Sequence, residues 1–134
     1  MVTIKTEYKS NLRTQAVHLK SGNAIITDAP TDNNGKGEAF SPTDLVAGSL
    51  SSCMMTIMGI VAEREQIDMS SLKADVTKVM AASPRRISEI HVTFEWPNTT
   101  ATAQQLEKLK RAALTCPVAL SLHPDIKQEV TFNF

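Results

Sequence analysis

Aromatic side chains are scarce: one Trp, one Tyr and four Phe make up 4% of the 134 residues. A hydrophobic core built from this chain must therefore be aliphatic, filled by Ile, Leu, Val, Ala and Met. Net charge is also missing, since 14 Lys and Arg balance 14 Asp and Glu. A nucleic-acid partner would normally require a basic surface, so that class has no support. Nor does net repulsion oppose self-association. No uninterrupted apolar run approaches the roughly 20 residues of a membrane-crossing helix. The opening MVTIKTEYKS lacks the apolar segment of a secretory signal. Cysteine is limited to Cys53 and Cys116, and no Cys-x-x-Cys or His-x-x-x-His spacing suggests a zinc site. These exclusions lead us to expect one soluble, cytoplasmic domain over residues 1–134, with no membrane and no nucleic-acid partner.

Period-2 alternation marks the strands. Val2, Ile4, Thr6 and Tyr8 share one face of a strand over 2–8. Lys9-Ser10-Asn11 suits a turn, 12–19 forms a second strand, Ser21-Gly22-Asn23 turns again, and 24–27 completes a meander. Residues 28–40 (DAPTDNNGKGEAF) read as a mobile loop. Further on, 71–81 and 87–96 predict two more strands around the Ser83–Arg86 turn. The second is the clearest, with Ile90, Val92, Phe94 and Trp96 opposite Glu89, His91, Thr93 and Glu95. A last strand covers 126–134.

Helix signals lie between these strands. Ser41 is a suitable N-cap, Pro42 fits the first helical position, and Asp44 falls where a capping box places its acid. The helix should run to about Glu65, with Leu45, Val46, Leu50, Cys53, Met54, Ile57, Met58 and Val61 giving a wide apolar face. Ala47, Gly48, Ser49, Ser51 and Ser52 would let another helix approach closely. Thr100 or Thr102 caps a second helix, and Pro117 opens a short third one. The order is βββ-α-ββ-α-α-β, which is α+β with an antiparallel sheet and segregated helices.

A thiol reacts as its thiolate, so its surroundings decide its use. Cys116, just before Pro117, is placed where free helical N–H groups favour a negative sulfur. Cys53, in mid-helix, would be inert if simply buried and needs a cation from elsewhere; Arg13, Arg64, Arg85, Arg86 and Arg111 are the candidates. Two unpaired cysteines are also common as plain core residues. The residues alone leave both readings open.

The stretch SPTDLVAGSLSSCMM at 41–55 resembles the segment carrying the first cysteine of OsmC/Ohr proteins. CPVALSL at 116–122 resembles the segment with their second cysteine and is the more specific of the two. The resemblance covers essentially the whole chain. It implies an intertwined α+β homodimer that reduces organic hydroperoxides through thiols, with no metal and no bound organic cofactor. Cys53 would be the peroxidatic thiol, Cys116 the resolving thiol, and a dithiol of lipoyl type the reductant. Arg13, in LRTQAV, matches the family arginine that holds the reactive thiolate. One departure stands out: family peroxidases carry a glutamate ten residues before the first cysteine, where this chain has Thr43. Asp44 or Glu38 could supply the missing carboxylate, although Asp44 also reads as a helix cap.

The alternative to an enzyme is a non-catalytic relative that keeps the fold and binds a small apolar ligand or senses oxidants; Thr43 favours it, and the paired cysteines favour the peroxidase. His18, His91 and His123 are scattered and read as surface residues. Met54, Met55 and Met58 suit core packing or an apolar peroxide pocket.

Overall fold

Turn chemistry organises the first 46 residues. In the computed structural model, which describes residues 1–134, strands β1 (Ile4–Tyr8), β2 (Arg13–His18) and β3 (Ala24–Asp28) form an antiparallel meander. Ser10, Asn11 and Leu12 all adopt positive φ in the first turn. Three such residues in succession are uncommon without glycine. The Tyr8 hydroxyl accepts the Leu12 N–H at 3.2 Å, and Lys9 N–H donates to the Arg13 carbonyl at 2.8 Å, which ties the turn down.

The segment after β3, expected as a loop, carries local structure of its own. A 3-10 turn at Thr31–Asn33 is closed by N–H groups of Asn33 and Gly35 donating to the Pro30 carbonyl. Gly35 lies so close to Ala29 that a Cβ would overlap the Ala29 carbonyl. Glycine is required there, and the chain doubles back to place Glu38 beside β3. Residues Met1–Val46 make up one compact unit and Ala47–Phe134 a second.

Helix α1 spans Pro42–Arg64 and starts as its sequence dictates. Ser41 Oγ accepts the Asp44 N–H and the Asp44 carboxylate accepts the Ser41 N–H, each at 3.0 Å, a complete capping box. Ala47, Leu50, Met54, Met58 and Ala62 are its buried residues, at spacings of three or four. The stripe is narrower than expected, because Leu45, Cys53, Ile57 and Val61 are only partly covered and Ile60 is exposed. A count of uninterrupted apolar residues also misjudged this element. With 23 residues and a mean hydropathy of 1.8 over its most apolar window, α1 is long and apolar enough to cross a membrane by length and composition, a test that core helices of soluble proteins also pass.

The second unit continues from α1 into strands β4 (Lys73–Ala82) and β5 (Arg85–Glu95), helices α2 (Ala103–Leu114) and α3 (Pro117–Ser121), and strand β6 (Lys127–Asn133). The sheet order is β4-β5-β6, with β5 central. β4 and β5 form an antiparallel hairpin with a register shift at Val79/Met80. β6 runs parallel to β5, and here the expectation of a wholly antiparallel sheet needs correcting. The two helices between these strands form the crossover that parallel neighbours require. Ile87, Ile90, Val92, Phe94 and Trp96 are buried, with Leu109 and Ala113 of α2. Phe94 stacks on Phe132 at 5.4 Å between centroids, and Trp96 meets Phe134 edge-on at 5.3 Å, so four of the six aromatic side chains gather at one end of β5 and β6. Thr102 caps α2 in a capping box with Gln105. The element order βββ-α-ββ-α-α-β and the α+β class are as the sequence indicates.

Candidate active site

The candidate residues fall into two groups, one in each unit. In the second unit, Cys53 projects from the middle of α1 and is half-buried, whereas Cys116, just ahead of α3, is fully buried. Both are free thiols. Pro117 fixes the bend that places Cys116 as the cap of α3, where its sulfur accepts the Ala119 N–H at 3.4 Å. The Cys116 thiol is nevertheless pushed above its ordinary value, with burial the largest cause, against the helical N–H groups of Ala119 and Val118 that pull the other way. The helix start favours a negative sulfur as expected, but desolvation and the neighbouring Cys53 together prevail over it. Cys53 adds to the rise, both by hydrogen bonding and by charge, so the two sulfurs are near neighbours. What the pair offers is a reachable thiol on a helix face and a buried, protonated thiol beside it.

In the first unit, Arg13 and Asp28 face each other across β2 and β3 as direct register partners. The guanidinium donates twice to the carboxylate, Nε to Oδ1 at 2.7 Å and Nη2 to Oδ2 at 2.8 Å. Such planar, two-point pairing is geometrically specific to arginine. Asp28 is only 1% exposed, and it also accepts the Glu38 N–H at 3.1 Å. The Arg13 guanidinium holds the Asp28 carboxyl below its ordinary range, against the opposing effect of burial. Asp28 in turn raises Arg13. The Glu38 carboxylate approaches Arg13 Nη2 at 3.7 Å and is mostly exposed, a weaker second partner.

Sequence reasoning missed Asp28. The carboxylate expected from Glu38 or Asp44 is supplied chiefly by a residue assigned to a loop. Asp44 is taken up by the capping box of α1, and the Thr43 hydroxyl hydrogen-bonds to that of Ser41 at 3.2 Å. The signal that could have found Asp28 is the meander itself: the turn at Ser21–Asn23 sets a register that, carried one residue farther, puts position 28 opposite Arg13.

The other candidates sort simply. Arg64 and Arg111 line a separate cleft. His18 hydrogen-bonds to Ser21 in its own turn, His123 accepts the Asp125 N–H, and His91 sits against Glu89 on the outer face of β5. No group of three or more His, Cys, Asp or Glu side chains is arranged to hold a metal ion.

Residues 35–131 match the family described as OsmC-like protein. A crystal structure from Psychrobacter arcticus, described provisionally as an osmotic stress induced and detoxification response protein, is 55% identical; the match covers 98% of this chain and 96% of that one, with a TM-score of 0.94. An organic hydroperoxide resistance protein from Legionella pneumophila shares the fold at 14% identity, over 100% and 98% of the two chains, with a TM-score of 0.72. One from Elizabethkingia anophelis does so at 15% identity, over 98% and 96%, with a TM-score of 0.66. No protein with a curated description matches.

Proposed function

The chain belongs to the OsmC-like family, and from that premise we propose that it is a cytoplasmic, thiol-dependent peroxidase that reduces organic hydroperoxides through Cys53 and Cys116. The observation that carries this reading is the pairing of a reachable thiol with a buried, protonated one in the same unit. Solved relatives described as organic hydroperoxide resistance proteins lend it support at the level of the fold.

The chemistry runs in three steps. The Cys53 thiolate attacks the outer oxygen of the hydroperoxide, the O–O bond breaks, and the organic part leaves as an alkoxide that takes a proton to become the alcohol. Cys53 is then a sulfenic acid. The Cys116 sulfur attacks the Cys53 sulfur, losing its proton and expelling water, and a disulfide forms. An external dithiol of lipoyl type exchanges with that disulfide and carries away the two electrons' worth of oxidation. In this scheme Arg13 assists the reactive thiolate, as the family arginine does, with Asp28 holding its guanidinium plane. The assembly is a homodimer. Val2, Ile4, Tyr8, Leu12, Ile25 and Ile26 are large, apolar and exposed in the first unit, and little more than a quarter of the apolar window of α1 is buried, which leaves surface for a second copy to cover.

One observation favours a second reading. Thr43 stands where family peroxidases carry a glutamate, and a binding or oxidant-sensing relative has no need of that acid. Free-thiol loss after addition of an organic hydroperoxide distinguishes the two. The peroxidase reading expects rapid formation of an intramolecular disulfide in the wild type, no reaction in Cys53→Ser, and a trapped sulfenic acid in Cys116→Ser. Two thiols that stay reduced over minutes would leave the binding relative as the better account.

A further inference from the structure

The last turn of α1 and the outer face of α2 enclose an open cleft of about 400 Å³ lined by Val61, Arg64, Glu65, Lys108 and Arg111. Three of these five side chains are cationic. Lys108 is answered by Glu65 in an ion pair. Arg64 and Arg111 have no carboxylate partner, although each lies in the last turn of its helix, where a cation complements the helix dipole. The dipole accounts for one cation at each helix end; it does not account for two guanidiniums turned into one cleft, where they repel each other. Val61 gives the cleft an apolar wall, and on α1 it shares a face with Ile57 and Cys53 at intervals of four residues, all three partly covered.

The geometry points to an oxyanion-binding site in this cleft, with Arg64 and Arg111 clamping a phosphate or carboxylate group between them and Lys108 at the rim. Arginine's planar fork suits such groups. The site does not depend on the peroxidase chemistry. Its ligand has two sources, free inorganic phosphate or the acidic end of a longer apolar molecule. In the second case the chain of that molecule lies along Val61 and Ile57 towards Cys53, which is about 16 Å from Arg64 along the helix axis.

The test is a titration of the full-length protein with inorganic phosphate at constant ionic strength, following the arginine side-chain NMR signals, with chloride as control. Saturable shifts of two arginine signals are expected, with affinity weakened about tenfold or more in Arg64→Gln and in Arg111→Gln, and unchanged in Lys73→Gln, which removes the same charge from a residue of the same unit that does not line the cleft. A second arm compares decanoate with decanol. Decanoate that binds more tightly than phosphate and slows alkylation of Cys53, where decanol does not, identifies the acyl carboxylate as the source. Decanoate no better than phosphate identifies free phosphate. If neither anion saturates, or if the shifts persist in both arginine variants, the site does not exist. Because alkylation and binding are read without any peroxide, this result stands apart from the success or failure of the peroxidase reading.

Discussion

The Arg13–Asp28 pair and the Cys53–Cys116 pair deal with burial in opposite ways. In the first, a carboxylate 1% exposed stays charged because a guanidinium meets it at two points and a backbone N–H adds a third. In the second, a fully buried thiol has only N–H groups to favour its anion, and burial drives it towards the neutral form. The difference is one of compensation: a full opposite charge offsets desolvation at Asp28, while the partial dipoles of a short helix do not offset desolvation and a neighbouring thiol together at Cys116. One region fixes a cation; the other keeps a proton on sulfur until a neighbour calls for it.

The largest expected effect breaks the sulfur pair. Cys53→Ser should lower hydroperoxide reduction by at least about 1,000-fold in a steady-state assay, since the reacting atom is gone. Cys116→Ser should retain a single turnover, seen as one equivalent of alcohol released, and lose the following ones. The charged pair is broken by Asp28→Asn. Because the folded Asp28 carboxyl lies below its ordinary value of about 3.9, its stabilisation is fully present above that pH and disappears as pH falls through the folded value. Urea unfolding should therefore show the wild type losing more stability than Asp28→Asn between pH 6 and pH 3. A variant with the same acid dependence as wild type would show that the pair contributes nothing. A smaller effect isolates the part that Cys53 plays in the rise at Cys116: in Cys53→Ala its thiolate absorbance should appear at lower pH than in wild type, and an unchanged titration would show that Cys53 contributes nothing. The smallest is a control on the missing glutamate. Asp44→Ala should cost about 1 kcal/mol as a lost helix cap and leave turnover unchanged.

Local rules explain why much of the fold could be read in advance. Ser41-Pro42-x-Asp44 announces α1, Thr102-x-x-Gln105 announces α2, and the alternation from Ile87 to Trp96 gives β5 its buried face. Each depends on residues a few positions apart. The parallel pairing of β6 with β5 does not; it follows from how α2 and α3 carry the chain across, which no window of sequence records. Both cysteines could be named from their segments, yet the charge state of Cys116 depends on burial, and burial is a property of the packed unit. Asp28 was hidden for a related reason. Fifteen residues separate it from Arg13, and among Gly, Asn and Pro it reads as a turn residue until the strand register brings it opposite the guanidinium.

Trp96, the sole tryptophan, touches Phe134 beyond the end of β6, and its N–H donates to the Asn133 carbonyl through the backbone at 3.0 Å. The protein thus contains an intrinsic fluorophore at the junction where its last strand docks. Emission from this indole should report on the seating of β6 during refolding, with no label attached. For the same reason an affinity tag fused after Phe134 would disturb the signal.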